Sequence, residues 1–71
     1  MPHIAITMYP GRDEKSKKDL AIELKKTMVA ALGVDPKVVS VSVQDVPPEK
    51  WQDNVASIPE DAMFIAPGEE L

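Results

Sequence analysis

The feature that most constrains the fold of this chain is the period of its apolar residues, which changes twice within residues 2–44. Apolar and polar or small side chains alternate from Pro2 to Tyr9, and they alternate again from Val38 to Gln44. Between these segments the apolar residues recur every three to four positions. A period of two is typical of a β-strand, and a period near 3.6 is typical of an α-helix. The pattern therefore predicts a strand, a long helix and a second strand.

Turn and capping residues indicate where these elements begin and end. Pro10–Gly11 ends the first strand, because proline cannot donate to a strand ladder and glycine favours a turn. Asp13–Glu14 places carboxylates at the positive end of a helix over residues 13–32, although Ser16 offers an alternative capping position one turn later. Gly33 is suited to the C-cap. The order predicts a βαβ unit with parallel strands and a right-handed crossover.

A single helix can cover only one face of a two-stranded sheet. The side facing the helix is expected to carry the apolar residues Ile4, Ile6, Met8, Val39, Val41 and Val43, packed on the helix stripe of Leu20, Leu24, Met28 and Leu32. The outer face of the sheet carries Ala5, Thr7, Ser40 and Ser42. Two strands alone are marginal in water, and parallel sheets normally have both faces buried. We therefore expect one α+β domain over residues 1–71 whose outer face packs on another copy of the chain.

The sequence after Asp45 predicts less regular structure. Residues 49–52 fit one tight turn of helix. The short apolar runs Val55–Ile58 and Met63–Ile65 fit either short strands or anchored loop, and both possibilities stay open. Prolines at 59 and 67 interrupt any longer element.

Composition excludes several classes of function. The chain has no cysteine, which excludes a disulfide framework and a thiolate nucleophile. A net charge of −4 argues against nucleic acid as a partner, since phosphate binding needs a basic patch. No apolar run approaches the roughly 20 residues that span a bilayer, and the N-terminus lacks the features of a signal peptide. We expect a cytoplasmic protein that binds neither membranes nor nucleic acids and needs no metal or other cofactor.

Few residues qualify for chemistry. If Met1 is removed, the chain begins with the secondary amine of Pro2, which can act as a general base once it is neutral. Arg12 is the only arginine, and Trp51 lies just past the second strand. His3 is the only histidine, and a lone histidine on a strand is more often a surface or interface residue than a ligand.

Two segments together resemble the 4-oxalocrotonate tautomerase family. Residues 2–14 read PHIAITMYPGRDE, and residues 38–51 read VVSVSVQDVPPEKW. The second segment is similar to the small bacterial subgroup of this family that carries a tryptophan at that place. The resemblance covers about residues 2–54.

The resemblance implies keto–enol proton transfer on 2-oxo or enol acids, in a homo-oligomer that is a dimer or a trimer of dimers. Pro2 takes the role of the general base, and Arg12 that of the residue binding a substrate carboxylate. Trp51 takes the role of an apolar wall beside the Pro2 amine. The best-known members have a second arginine where this chain has Ser40, so Ser40 is the candidate substrate-binding residue at that place. The resemblance therefore favours a monoacid or aryl enol acid over a dicarboxylate.

Two alternatives to this enzyme remain open. The chain fits a non-catalytic oligomer of the same fold that acts as a structural or interaction protein and lost its site with the second cation. It also fits an acidic module that binds a peptide or protein through residues 55–71.

Overall fold

The computed structural model describes residues 1–69, and it confirms the βαβ unit. Strand β1 (His3–Met8), helix α1 (Glu14–Leu32) and strand β2 (Ser40–Asp45) follow one another, with a 3₁₀ turn (Pro36–Val38) before β2. The two strands pair in parallel. β2 begins two residues later than expected because the Val38 amide closes the turn on the Asp35 carbonyl at 3.1 Å. The last two residues of the expected domain lie outside the described residues.

Helix α1 has a defined cap at each end. The side chain of Asp13 accepts a hydrogen bond from the Ser16 amide at 2.9 Å, so Asp13 rather than Ser16 is the N-cap. That hydrogen bond lowers the pKa of Asp13 from its ordinary value. At the other end Gly33 adopts the left-handed conformation, with φ of 66°, and its amide donates to the Val29 carbonyl at 2.9 Å. The predicted C-cap is confirmed.

The core between helix α1 and the sheet is thin. Among the described residues only Val39 and Val46 are buried, each with 6% of its surface exposed, and the other apolar residues of the inner face are half-buried. Leu32 is 58% exposed, so its predicted place in the packed stripe is wrong. The reason is length: the 19 residues of the helix rise about 28 Å, whereas a six-residue strand spans about 20 Å. The last turn of α1 therefore extends beyond the sheet.

The chain after β2 is helical or irregular. A 3₁₀ turn (Pro48–Lys50) leads into helix α2 (Trp51–Ala56), and a second 3₁₀ turn (Glu60–Ala62) follows. The helical turn expected at residues 49–52 is confirmed and is longer than expected. Neither later apolar run is a strand, because the first lies at the end of α2 and the second in a loop.

Helix α2 lies against the outer face of the sheet. Its Asn54 side-chain amide donates a hydrogen bond to the Thr7 hydroxyl at 2.9 Å, and Thr7 is half-buried. Ala5, Ser40 and Ser42, on the same face, remain exposed. One short helix therefore covers only part of the face that we expect another copy to cover. None of the helices in residues 1–69 has the length and apolar character needed to cross a membrane.

Candidate functional site

The N-terminal end of the sheet brings two of the predicted site residues together. Pro2 immediately precedes β1, and its carbonyl accepts a hydrogen bond from the Ser40 amide at 3.3 Å. Pro2 is half-buried, whereas Met1 is fully exposed. The bond to Met1 makes the Pro2 nitrogen an amide, and removal of Met1 converts it into a free secondary amine.

His3 lies between two serine hydroxyls beside this end of the strand. Its Nδ1 is 2.6 Å from the Oγ of Ser40, and its Nε2 is 3.0 Å from the Oγ of Ser42. The register explains the contact, because His3 pairs with Ser40, and Ser42 is the next residue of β2 on the same face. Sequence reasoning set His3 aside and assigned Ser42 only to the face expected to pack on another copy. The alternation of the two strands places all three residues on the outer face of the sheet, and the observed register then brings them into contact.

Arg12 and Trp51 lie at the opposite end of the sheet from Pro2. The Trp51 ring meets the ring of Tyr9, just past the end of β1, edge to face at a centroid distance of 5.2 Å. Arg12 follows Gly11, whose φ of 131° is accessible mainly to glycine and turns the chain from β1 toward α1. Since β1 has six residues, about 20 Å separates the two ends. One chain therefore does not bring Arg12 and Trp51 together with Pro2.

The charges at the Arg12 end of the sheet are distributed unevenly. Lys17 forms an ion pair with Asp45 at 2.9 Å, and the hydrogen bond that its ammonium donates to this carboxylate raises the pKa of Lys17. Arg12 is exposed and makes no ion pair or hydrogen bond within the described part of the chain. The guanidinium is therefore available to a carboxylate from outside the chain. No three His, Asp or Glu side chains of residues 1–69 are grouped to hold a metal ion.

An open cleft of about 630 Å³ lies between the outer face of the sheet and the segment after β2. Its lining includes Ala5 and Thr7 from β1 and the apolar residues Trp51, Val55, Ile58 and Met63. Phe64, next to this lining, is 88% exposed. The surface is concave and mostly apolar, which suits either an apolar substrate body or part of another copy.

Comparisons with known proteins agree with this architecture. The family model described as "Tautomerase enzyme" matches residues 2–65. The chain is 44% identical over 55 residues to a "Probable tautomerase" of Xylella fastidiosa, covering 78% of this chain and 67% of that protein. It is 36% identical to "Tautomerase PptA" of Escherichia coli, covering 73% of this chain and 71% of that protein. It is 37% identical to "2-hydroxymuconate tautomerase" of Pseudomonas putida, covering 72% of this chain and 81% of that protein.

Proposed function

Because the chain belongs to the tautomerase family, we propose that it catalyses keto–enol proton transfer on 2-oxo or enol acids, with Pro2 as the general base. The observation that carries this proposal is the extent of the family match, which begins at Pro2 itself. Pro2 also precedes a strand that is paired along its whole length, so its nitrogen has a fixed position. Removal of Met1 is required, because an amide nitrogen is not a base.

The proton transfer needs one group that is a base in one half of the reaction and an acid in the other. The neutral amine of Pro2 takes the proton of the enol hydroxyl, and the electron pair of that O–H bond forms the carbonyl. The electron pair of the carbon–carbon double bond then forms a C–H bond at carbon 3 with the proton of the Pro2 ammonium. The amine is restored, and the reverse sequence forms the enol.

We propose that Arg12 and Trp51 reach this amine from a second copy of the chain. Packing two outer faces with their strands antiparallel brings the Arg12 end of one sheet to the Pro2 end of the other. A guanidinium placed there binds the substrate carboxylate and disfavours a second positive charge on the amine. The indole helps to exclude water. This arrangement supports a homo-oligomer, either a dimer or a trimer of dimers, as the active form.

The substrate is proposed to be a monoacid, such as an aryl enol acid. Ser40 lies beside Pro2 at the position where the resemblance implies a second arginine, and its side chain has no charge with which to bind a second carboxylate. The second copy that brings Trp51 to Pro2 also brings the mostly apolar cleft that Trp51 lines, and this cleft suits an aryl group. A substrate panel tests this, and a higher kcat/KM for 2-hydroxymuconate than for the enol of phenylpyruvate contradicts it.

The mechanism is tested by comparing the processed chain with a form that retains Met1. Mass spectrometry of the intact chain identifies each form. We expect the processed chain to isomerise the enol of phenylpyruvate, Pro2→Ala to be slower because it keeps only a primary amine, and the Met1-retained form to be inactive. Equal rates for the processed and Met1-retained forms contradict the role of Pro2.

The alternative is a non-catalytic oligomer of the same fold, which the absence of a second arginine at Ser40 favours. It predicts that the processed chain assembles normally but turns over no member of the panel. The cytoplasmic location remains a prediction, and a fluorescent protein fused after Leu71 tests it while leaving the N-terminus free.

A further inference from the structure

Both ring nitrogens of His3 are occupied, although the ring is exposed. The two contacts, 2.6 Å to Ser40 and 3.0 Å to Ser42, join β1 to successive outward-facing residues of β2. The backbone pairing of the strands fixes the Cα positions of all three residues, so the ring and the two hydroxyls are held on a rigid part of the fold. The family role proposed for Pro2 makes no use of His3 or Ser42.

A neutral imidazole between two hydroxyls has a fixed pattern of donors. One ring nitrogen carries a hydrogen and donates it, while the other accepts. The hydroxyl that accepts the hydrogen bond from the imidazole N–H keeps its own O–H free. The other hydroxyl donates its O–H to the unprotonated ring nitrogen. In either tautomer, therefore, one of the two serine hydroxyls has an O–H that is free to donate to a ligand. Ser40 is the serine adjacent to Pro2, since its amide bonds to the Pro2 carbonyl.

We propose that Ser42, His3 and Ser40 form a directed hydrogen-bond chain that presents the Ser40 hydroxyl to the oxygen on carbon 2 of the substrate. The Ser42 hydroxyl donates to Nε2, Nδ1–H donates to the Ser40 oxygen, and the Ser40 hydrogen points to the substrate. His3 and Ser42 are positioning residues, and Ser40 is the residue that touches the substrate. The inference rests on the proposed function and gives Ser40 a specific partner atom.

The chain acts on the charge that develops during the reaction. When Pro2 removes the enol proton, negative charge accumulates on the oxygen at carbon 2 until the double bond shifts and carbon 3 is protonated. A hydrogen bond from Ser40 is strongest at that stage, and polarisation along the chain strengthens it. No proton leaves the serines or the histidine, so the atoms balance as in the mechanism above. Because the Ser40 hydroxyl is neutral, this position also offers no cation to bind a second carboxylate.

The tautomer of His3 is the first test, and it needs no turnover. Because His3 is the only histidine, ¹⁵N NMR of the processed protein shows a single pair of ring nitrogens. Under mildly alkaline conditions, where imidazole is neutral, we expect hydrogen on Nδ1 and none on Nε2. Hydrogen on Nε2 overturns the proposal. In that tautomer the Ser40 hydroxyl donates to Nδ1, and only the Ser42 O–H remains free for a ligand.

Binding of two unreactive acids tests the contact with oxygen. Phenyllactate carries a hydroxyl on carbon 2, whereas 3-phenylpropanoate carries none. We expect the wild-type chain to bind phenyllactate about fivefold more tightly, which corresponds to one net hydrogen bond of about 1 kcal/mol. Ser40→Ala and Ser42→Ala should reduce this preference, whereas Ser57→Ala, at an exposed serine after α2, should not. An unchanged preference in Ser40→Ala overturns the proposal.

Substitutions of His3 distinguish positioning from a merely structural role. His3→Asn retains an amide donor near the position of Nδ1, whereas His3→Gln carries its amide near the position of Nε2. We expect His3→Gln to lower kcat about tenfold with a smaller change in KM, less than the roughly 100- to 1000-fold loss on removing an oxyanion donor itself, and His3→Asn to retain more of the rate. Equal losses in the two variants, with assembly intact by sedimentation, overturn the proposal. An inactive wild-type chain contradicts the proposed function alone, because the NMR and binding results do not depend on turnover.

Discussion

Asp13 illustrates how one carboxylate determines where helix α1 begins. Its side chain accepts from the Ser16 amide, which would otherwise lack an intrahelical partner. The same hydrogen bond lowers the pKa of Asp13 from 3.8. A carboxyl group whose pKa is lower in the folded state stabilises that state above its unfolded pKa, and the contribution disappears as the pH falls through the folded value.

We predict that Asp13→Ala lowers the urea midpoint of unfolding at neutral pH, because it removes the cap. Asp13→Asn is the matched control, since asparagine caps helices about as well but carries no charge. The wild-type advantage over Asp13→Asn should be present at neutral pH, begin to decline near pH 4, where the carboxyl starts to protonate in the unfolded chain, and disappear as the pH falls through the lower folded pKa. A difference in midpoint that does not change with pH contradicts this account.

We predict that Arg12→Ala raises KM by about 10- to 100-fold, the effect of losing a charge-assisted hydrogen bond to a substrate carboxylate. Without the guanidinium the Pro2 amine also keeps its proton to a higher pH, so the acidic limb of the pH–rate profile should move upward. Lys15→Ala, at a side chain that is 84% exposed on α1, serves as the control for a lost cation. An unchanged KM in Arg12→Ala means that the carboxylate binds elsewhere.

At the scale of elements, the fold depends on the match between one helix and two short strands. α1 packs along the inner face of the sheet, closest to β2, and its final turn extends beyond the sheet. Two leucines of the same predicted stripe therefore have different surroundings. Leu24 is half-buried at the middle of the helix, and Leu32 is exposed at its end.

We predict that Leu24→Ala lowers the free energy of unfolding by about 2 kcal/mol, the low end for leucine truncation because the site is half-buried. Leu32→Ala should cost less than about 0.5 kcal/mol. Urea unfolding at one fixed protein concentration measures both, since an oligomer's stability depends on concentration. Equal costs at the two positions mean that the last turn of α1 is packed in solution.

At the scale of the whole molecule, the single chain leaves much apolar surface uncovered. Tyr9, Phe64 and Ile65 are all exposed, Phe64 at 88%. So many large exposed apolar side chains, in a chain with only two buried residues among those described, are typical of a subunit rather than of a stable monomer. In the arrangement proposed above, covering the outer face also completes the site, so we expect assembly and catalysis to depend on the same surface.

We predict that the chain is an oligomer at micromolar concentration and that Phe64→Ser weakens its association. Burying a phenylalanine contributes about 1.5–3 kcal/mol, so the dissociation constant should rise at least about tenfold. Sedimentation equilibrium measures this, with Lys15→Ser as the control at an exposed position. A folded wild-type monomer, or an association constant that Phe64→Ser leaves unchanged, contradicts the prediction.

The sequence by itself determined the βαβ order, the cap at Gly33, the family and the candidate base at Pro2. These follow from local properties: the apolar period, the conformational preference of glycine, and a motif contiguous in the chain. The end of the packed stripe did not follow, because whether Leu32 is covered depends on how far the sheet extends beneath the helix.

Only the tertiary structure decided which candidate residues lie together. The parallel register placed His3 between Ser40 and Ser42, which are 37 and 39 residues away in the chain. It also placed Arg12 and Trp51 at the opposite end of the sheet from Pro2, although Arg12 is only ten residues further along. An extended strand separates near neighbours in sequence, and a parallel crossover joins distant ones, so proximity is a property of the fold and not of sequence spacing.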